Sequence, residues 1–202
     1  YVVAPHFPLD ASTQKRMLKL LKRIPNRKLI LVDKNIPDLP GNYGAVYQDF
    51  SNDIAIALSE GLDKLKLFSR LNVVIMPNSL YSHSIRQSIE KFSTQSGLPV
   101  QFHHGVSEDI VRQNEVYLML NSQHDAGLLE FSRIASKLNL AIGKDISVIS
   151  YNDSPINEII LNGLTAVSTD FKQMGELAAQ MILDRNLSKT KCDFRLIRRA
   201  TF

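Results

Sequence analysis

Hydrophobic residues along this chain fall into two alternating patterns. Short runs of consecutive apolar residues, many of them β-branched, are separated by longer stretches in which apolar positions recur every three or four residues. The first pattern is that of strands buried on both faces and the second that of helices with one apolar side, so their regular alternation predicts a parallel sheet wound with helices. Strands are expected at 1–4, 28–32, 45–48, 71–76, 100–103, 116–120, 146–151, 164–168 and 194–197. A helix is expected from Asp10, with Met17, Leu18, Leu20, Leu21 and Ile24 on one face, and another from Ser51, with Ile54, Leu58, Leu62 and Leu65 inward. A third turns Ile85, Ile89 and Phe92 inward and stops at Gly97; a short one lies near Glu108; a fifth, from His124, buries Leu128, Phe131, Ala135 and Leu138. Ser154-Pro155 opens a sixth that Gly163 closes, and Asp170 caps a last one with Met174, Leu177, Ala178 and Met181 inward. The boundaries rest on Asp and Ser side chains that accept from unpaired first-turn N–H groups, on Pro at a first helical position, and on Gly just past a helix end.

Composition narrows the picture. The 202 residues are 44% hydrophobic and 22% charged, as in soluble globular proteins, and are enough for one large domain or two lobes, of which two are expected. No unbroken apolar run exceeds five residues, as from Val116 to Leu120, far short of the ~18 needed to cross a bilayer, so no membrane association is expected. The net charge is +4, but the basic clusters Lys15-Arg16, Lys19, Lys22-Arg23 and Arg27-Lys28 read as the solvated outer face and exit of one helix. No aromatic residues interleave with them as a nucleic-acid patch would require. The single Cys192 forms no internal disulfide and has no His at a metal-ligand spacing, which fits a reducing cytoplasm and no metal. Since Tyr1 to Ala4 already reads as strand, the chain is expected to begin inside a fold, with sequence upstream.

In open parallel sheets, ligands bind outside the carboxyl ends of the strands. The residues at those ends are His6, Phe7, Asp33, Asp49, Phe50, Asn78, Ser79, His103, His104, Asn121, Ser122, Asn152, Asp153, Thr169 and Asp170. Amides, carboxylates and aromatics recur, and there is no glycine-rich phosphate loop and no cofactor motif. Such a mixture suits a polyhydroxylated ligand, whose hydroxyls need fixed donors and acceptors and whose C–H faces need an aromatic surface. The same Asn and Asp residues are also ordinary turn and cap residues. Adjacent His103 and His104 on a strand point to opposite faces, which disfavours joint metal ligation, and His83 between Ser82 and Ser84 has no nucleophile elbow around it. The chain is expected not to be an enzyme.

The run Ile146-Ser-Val-Ile-Ser-Tyr-Asn-Asp-Ser-Pro155, then Gly163-Leu-Thr-Ala-Val-Ser-Thr-Asp-Phe-Lys-Gln-Met-Gly175 and Leu177-Ala-Ala179, resembles the effector domain of the lactose-repressor and galactose-repressor family. The likeness covers essentially the whole chain, and its stretches around Ser150-Tyr-Asn-Asp153, Ser168-Thr-Asp-Phe171 and Leu196-Ile-Arg-Arg-Ala-Thr201 look closest to regulators that carry a GntR-type winged-helix head. The resemblance implies a two-lobed periplasmic-binding-protein-like type I α/β fold of parallel sheets flanked by helices, with the first lobe incomplete because its first two strand-helix units have no counterpart. It implies lobes at 1–67 plus 169–187 and at 68–168 plus 188–202.

It also implies roles. Arg86, in Ser82-His-Ser-Ile-Arg86, stands where the family's sugar-binding arginine stands, and Asn121 matches a ligand-contacting Asn, with Ser122 in place of the usual Asp. Asn152 replaces an aspartate that commonly binds sugar hydroxyls, Asp49 matches a first-lobe carboxylate, and Asp153 and Asp170 serve either the ligand or a helix cap. With no Trp, stacking falls to Phe7, Phe50, Tyr81 or Tyr151, each of which also suits core or rim packing. The implied protein is the ligand-binding, dimerising part of a cytoplasmic transcriptional repressor that senses a sugar or sugar derivative, with operator DNA bound through an N-terminal head outside this chain. The alternatives are a solute-binding protein of a sugar uptake system and, third, a small α/β enzyme using Asp49, Arg86 and Asp170.

Overall fold

The computed structural model describes residues 1–75, 81–120 and 126–202. The chain divides into two compact units, Tyr1–Asp49 with Thr169–Asp193, and Phe50–Ser168 with Phe194–Phe202.

The first unit is a four-stranded sheet whose described pairings are all parallel. β1 (Val2–Val3), β2 (Ile30–Asp33), β3 (Gly44–Tyr47) and β9 (Lys189–Lys191) lie side by side in that order. Because side chains alternate across a strand, Leu29, Leu31 and Ala45 face Met17 and Leu21 of α1 (Ala11–Leu21). Ile30 and Val46 face Met174, Ala178 and Met181 of α6 (Phe171–Leu183) on the other side. Asp10 caps α1 by accepting from Thr13 N at 2.9 Å. Of the apolar face expected for this helix, Leu20 is 52% exposed, since the stripe that meets the sheet is only wide enough for Met17 and Leu21 with Leu18 and Ile24 at its flank.

The second unit holds six strands in the order β10 (Phe194–Ile197), β8 (Thr165–Thr169), β7 (Ser147–Tyr151), β6 (Val116–Met119), β4 (Leu71–Val74), β5 (Val100–His103). Leu71, Val73, Val116, Leu118 and Ile149 face α2 (Asp53–Glu60), α3 (Leu62–Leu65) and α4 (Ser82–Ser96) through Ile54, Leu58, Leu65, Ile85, Ile89 and Phe92. Val74, Tyr117, Met119 and Val148 face Leu128, Phe131 and Ala135 of α5 (Ala126–Lys137). Among the described residues no helix is long and apolar enough to cross a membrane.

Several boundaries differ from the sequence expectation. Placing the first lobe's edge at residue 67 assigned α2 to that lobe, whereas α2 packs on α4 and β10 and gives Ile54, Ala57 and Leu58 to the second unit's core. Residues 188–193 stay with the first unit because β9 pairs with β3; its alternating Lys and Thr carry no apolar signal. Near Glu108 there is a single turn closed by Ile110 N donating to Ser107 O at 3.2 Å, too little to propagate a helix. The segment after Ser154 forms two short 3-10 turns, Pro155–Glu158 and Ile160–Asn162, because Leu161 and Asn162 adopt left-handed backbone at φ 50° and 61°. The α2 cap falls on Asn52 rather than Ser51, and Asn52 Oδ1 accepts from Lys91 Nζ at 3.3 Å.

Candidate functional site

In the first unit, parallel pairing brings the ends of β1, β2 and β3 to one edge of the sheet. Asp33, the last residue of β2, has φ 74° and is buried. Its Oδ1 accepts from Gln48 Nε2, and Gln48 Oε1 accepts from Thr169 Oγ1 at 2.9 Å. Its Oδ2 is shielded from solvent and lies 2.8 Å from His6 Nε2. Gln48 and Thr169 are also buried, while the His6 side chain is 46% exposed. Lys34 follows directly; burial pushes its ammonium below the usual lysine range, against the pull of the Asp33 charge. The result is a buried polar row with an imidazole at its open end.

The other first-unit candidates sit around this row. Phe7 is half-buried against the Met17–Leu29 core, and Asp49 is half-buried one residue after Gln48. Asp170 is the cap of α6: its Oδ1 accepts from Gln173 N at 2.8 Å. Sequence reasoning passes over Gln48, an uncharged residue at a strand end with no motif around it. Its place directly before Asp49 is the signal that marks it.

In the second unit, Asn152 follows β7 in left-handed backbone, φ 67°, fixed by its N–H donating to Val167 O at 2.8 Å. Its Oδ1 is shielded from solvent and has no hydrogen-bond partner among the described residues. Asp153 is held by the fork of Arg199, Nη1 to Oδ1 at 2.9 Å and Nη2 to Oδ2 at 2.8 Å, and by Asn157 Nδ2 at 3.0 Å. Burial opposes the charge on Asp153, but these bonds outweigh it and keep its carboxyl below the usual aspartate range.

Arg86, in the second turn of α4, donates from Nε to Glu90 Oε1 at 2.9 Å and lies 4.1 Å from the centroid of the Phe102 ring, a cation–π distance. Phe50 and Tyr81 stack face to face with centroids 3.8 Å apart. Asn121, with Asn78, Ser79 and Ser122, lies outside the described residues. His103 Nε2 meets Asn72 Oδ1 at 2.9 Å and His104 Nδ1 lies 3.4 Å from Ile75 O, so the two rings serve different partners. Burial lowers the His103 pKa. Among the described residues no cluster of three His, Cys, Asp or Glu side chains is placed to hold a metal ion. Each unit therefore presents amide, carboxylate, imidazole or guanidinium groups as well as aromatic rings, groups that can exchange hydrogen bonds with a polar molecule.

Comparison with known proteins gives a consistent outcome. The profile of a family described as "Periplasmic binding protein-like domain" matches residues 75–198. No curated protein matches the chain. Among solved structures, a transcription regulator-like protein from Staphylococcus haemolyticus is 16% identical with a TM-score of 0.71, covering 100% of this chain and 74% of that one. The Escherichia coli transcriptional repressor ascG is 14% identical, TM-score 0.73, with 100% and 77% covered. A LacI family transcriptional regulator from Enterococcus faecalis V583, solved with bound ribose, is 21% identical, TM-score 0.69, with 99% and 76% covered.

Proposed function

Because the chain belongs to the periplasmic-binding-protein-like domain family, we propose that it is the effector-binding and dimerising part of a transcriptional repressor, that its effector is a sugar or sugar derivative, and that operator DNA is bound through an N-terminal head, of GntR type by the sequence likeness. The observation that carries this reading is the chemistry of the strand ends: His6 backed by buried Asp33 in one unit, and in the other Asn152, whose Oδ1 has no donor among the described residues. A buried amide oxygen without a donor is costly unless a ligand hydroxyl supplies one. The regulators among the solved neighbours, one of them holding ribose, support the same assignment.

The proposed contacts are Phe7 and Asp49 from the first unit, with His6 added, and Phe50, Arg86, Asn121 and Asn152 from the second. Asp153 and Asp170 belong to the frame of the site, their carboxylates serving Arg199 and the α6 cap. Arg86 offers its Nη groups while Glu90 and Phe102 steady the guanidinium. Ligand binding matters for repression through its different affinity for two conformations of the whole protein.

The test is a thermal-shift panel of monosaccharides, D-ribose among them, and sugar phosphates. A sugar present at 100 times its dissociation constant stabilises by about 2.7 kcal/mol. Arg86→Ala and Asn152→Gly, the latter compatible with left-handed backbone at this position, are expected to remove that shift and leave unliganded melting nearly unchanged. A response that survives both substitutions overturns the site. A sugar response that leaves DNA binding by the whole protein untouched favours the solute-binding alternative.

A further inference from the structure

We propose that Gln48 is a positioning residue that couples the exposed imidazole of His6 to the places where the chain crosses between its two compact units. The inference goes beyond the sensing role above and rests on that reading only for what touches His6 in the cell. The chain leaves the first unit after Asp49, returns at Thr169 and leaves again after Asp193. Gln48 and Thr169 stand just inside the first two crossings and are joined at 2.9 Å. The second and third are joined in turn: Asp170 N donates to Asp193 O at 2.9 Å, Gln173 Nε2 donates to Asp193 Oδ2 at 3.0 Å, and Asp193 N donates to Gln173 Oε1 at 2.9 Å.

The direction of these bonds is fixed by chemistry. An ionised carboxylate only accepts, so the Gln48 amide turns its NH2 toward Asp33 and its oxygen toward Thr169, whose hydroxyl donates. Flipping the amide would set two acceptors against each other at one end. Gln48 N also donates to Asp33 O at 3.2 Å, so backbone and side chain move together. Asp33, Gln48 and Thr169 are all at least nine-tenths buried, and a bond lost among them leaves a buried polar group unsatisfied, which makes the row respond as a unit. His6 is its one well-exposed member, with a side chain 46% exposed against 11% for Asp33. A change at His6 therefore enters a row that ends on the crossings.

The experiment is amide hydrogen exchange on the unliganded protein in a double-mutant cycle, so it stands whether or not any sugar binds. His6→Ala is expected to speed exchange at the Gln48 and Asp170 amides by about fivefold or more. In a Gln48→Met background the same substitution is expected to add nothing at Asp170. Thr169→Val, which removes the hydroxyl and keeps the shape, should likewise isolate Asp170 from His6 and serves if Gln48→Met does not fold. Independent, additive effects of His6 and Gln48, or a His6→Ala response confined to residues 4–8 and 33, overturn the coupling.

Discussion

In the first unit the polar side chains at the strand ends hold one another, through His6, Asp33, Gln48 and Thr169. In the second, Asp153 is held by the end of the chain. Arg199 grips Asp153 and donates from Nη1 to Leu164 O at 2.9 Å, while Thr201 Oγ1 donates to Val148 O at 2.8 Å and accepts from Thr165 N at 2.8 Å. One arrangement is a row of side chains open at a single imidazole. The other fastens side chains to backbone around residues 199–201, and beside it Asn152 Oδ1 has no donor among the described residues. In a buried side-chain row the hydrogen bonds polarise one another, so the loss of one is felt by the rest. The first unit is thus suited to relay and the second to presenting a fixed group.

The largest expected effect tests how far the second unit depends on its terminal segment. Gly143 has φ 88°, and a Cβ there would stand 2.3 Å from the carbonyl oxygen of Ala200, a backbone atom that has no rotamer to change. Gly143→Ala combines left-handed strain with that collision and should cost about 3 kcal/mol in urea denaturation. Protection should fall in β7 and β8 and persist in α1 and α6. Equal loss in both units would show that they unfold together and would break the comparison.

A smaller effect sharpens it. Arg199→Met keeps the stem of the side chain and removes the fork on Asp153, a pair whose side chains are 17% and 22% exposed, and should cost about 2 kcal/mol. The acid dependence has a definite sign. The Asp153 carboxyl ionises below its ordinary 3.8 in the folded chain, so its contribution is complete above that value and is lost as pH falls through the lowered one. Wild type should lose stability over that acid range more steeply than Arg199→Met. Parallel acid limbs for the two proteins would show that the pair does not anchor the segment.

What could be read from the sequence follows from which forces are local. The helix faces of α4, α5 and α6 were legible because Ile85, Ile89 and Phe92, or Met174, Ala178 and Met181, repeat at helical spacing and meet strands buried on both sides. The α6 cap at Asp170 was legible for the same reason: a cap is chemistry within one turn. β9 was not, since its Lys-Thr-Lys is a strand only because β3 offers it an open edge. Nor was the unit boundary near Asp49, which depends on where α2 packs. Strand-end position singled out His6, Asp33, Asn152 and Thr169 as candidates. The Gln48 bridge joins residues 15 and 121 positions apart, and no spacing rule reaches across that distance. The engagement of Asp153 by Arg199, 46 residues away, was hidden for the same reason.

The smallest effect lies at Asp10, four residues after His6, and asks whether the first unit's polar row is separate from the helix beside it. Asp10 caps α1, and its carboxyl is lowered to about 2, first by the Thr13 backbone N–H and then by the Thr13 and Ser12 side chains. Asp10→Ala should speed exchange only in the first turn of α1, and Asp10→Asn, which retains an accepting oxygen, should restore much of the protection at neutral pH. Because the folded carboxyl ionises below its ordinary 3.8, the cap's charge-dependent part is present above that value and disappears as pH falls through about 2. Wild type should lose first-turn protection across that interval and Asp10→Asn should not. Exchange that also quickens at the Gln48 and Asp170 amides in Asp10→Ala would tie the α1 cap into the His6 row, and the row could no longer be treated as a route with a single open end.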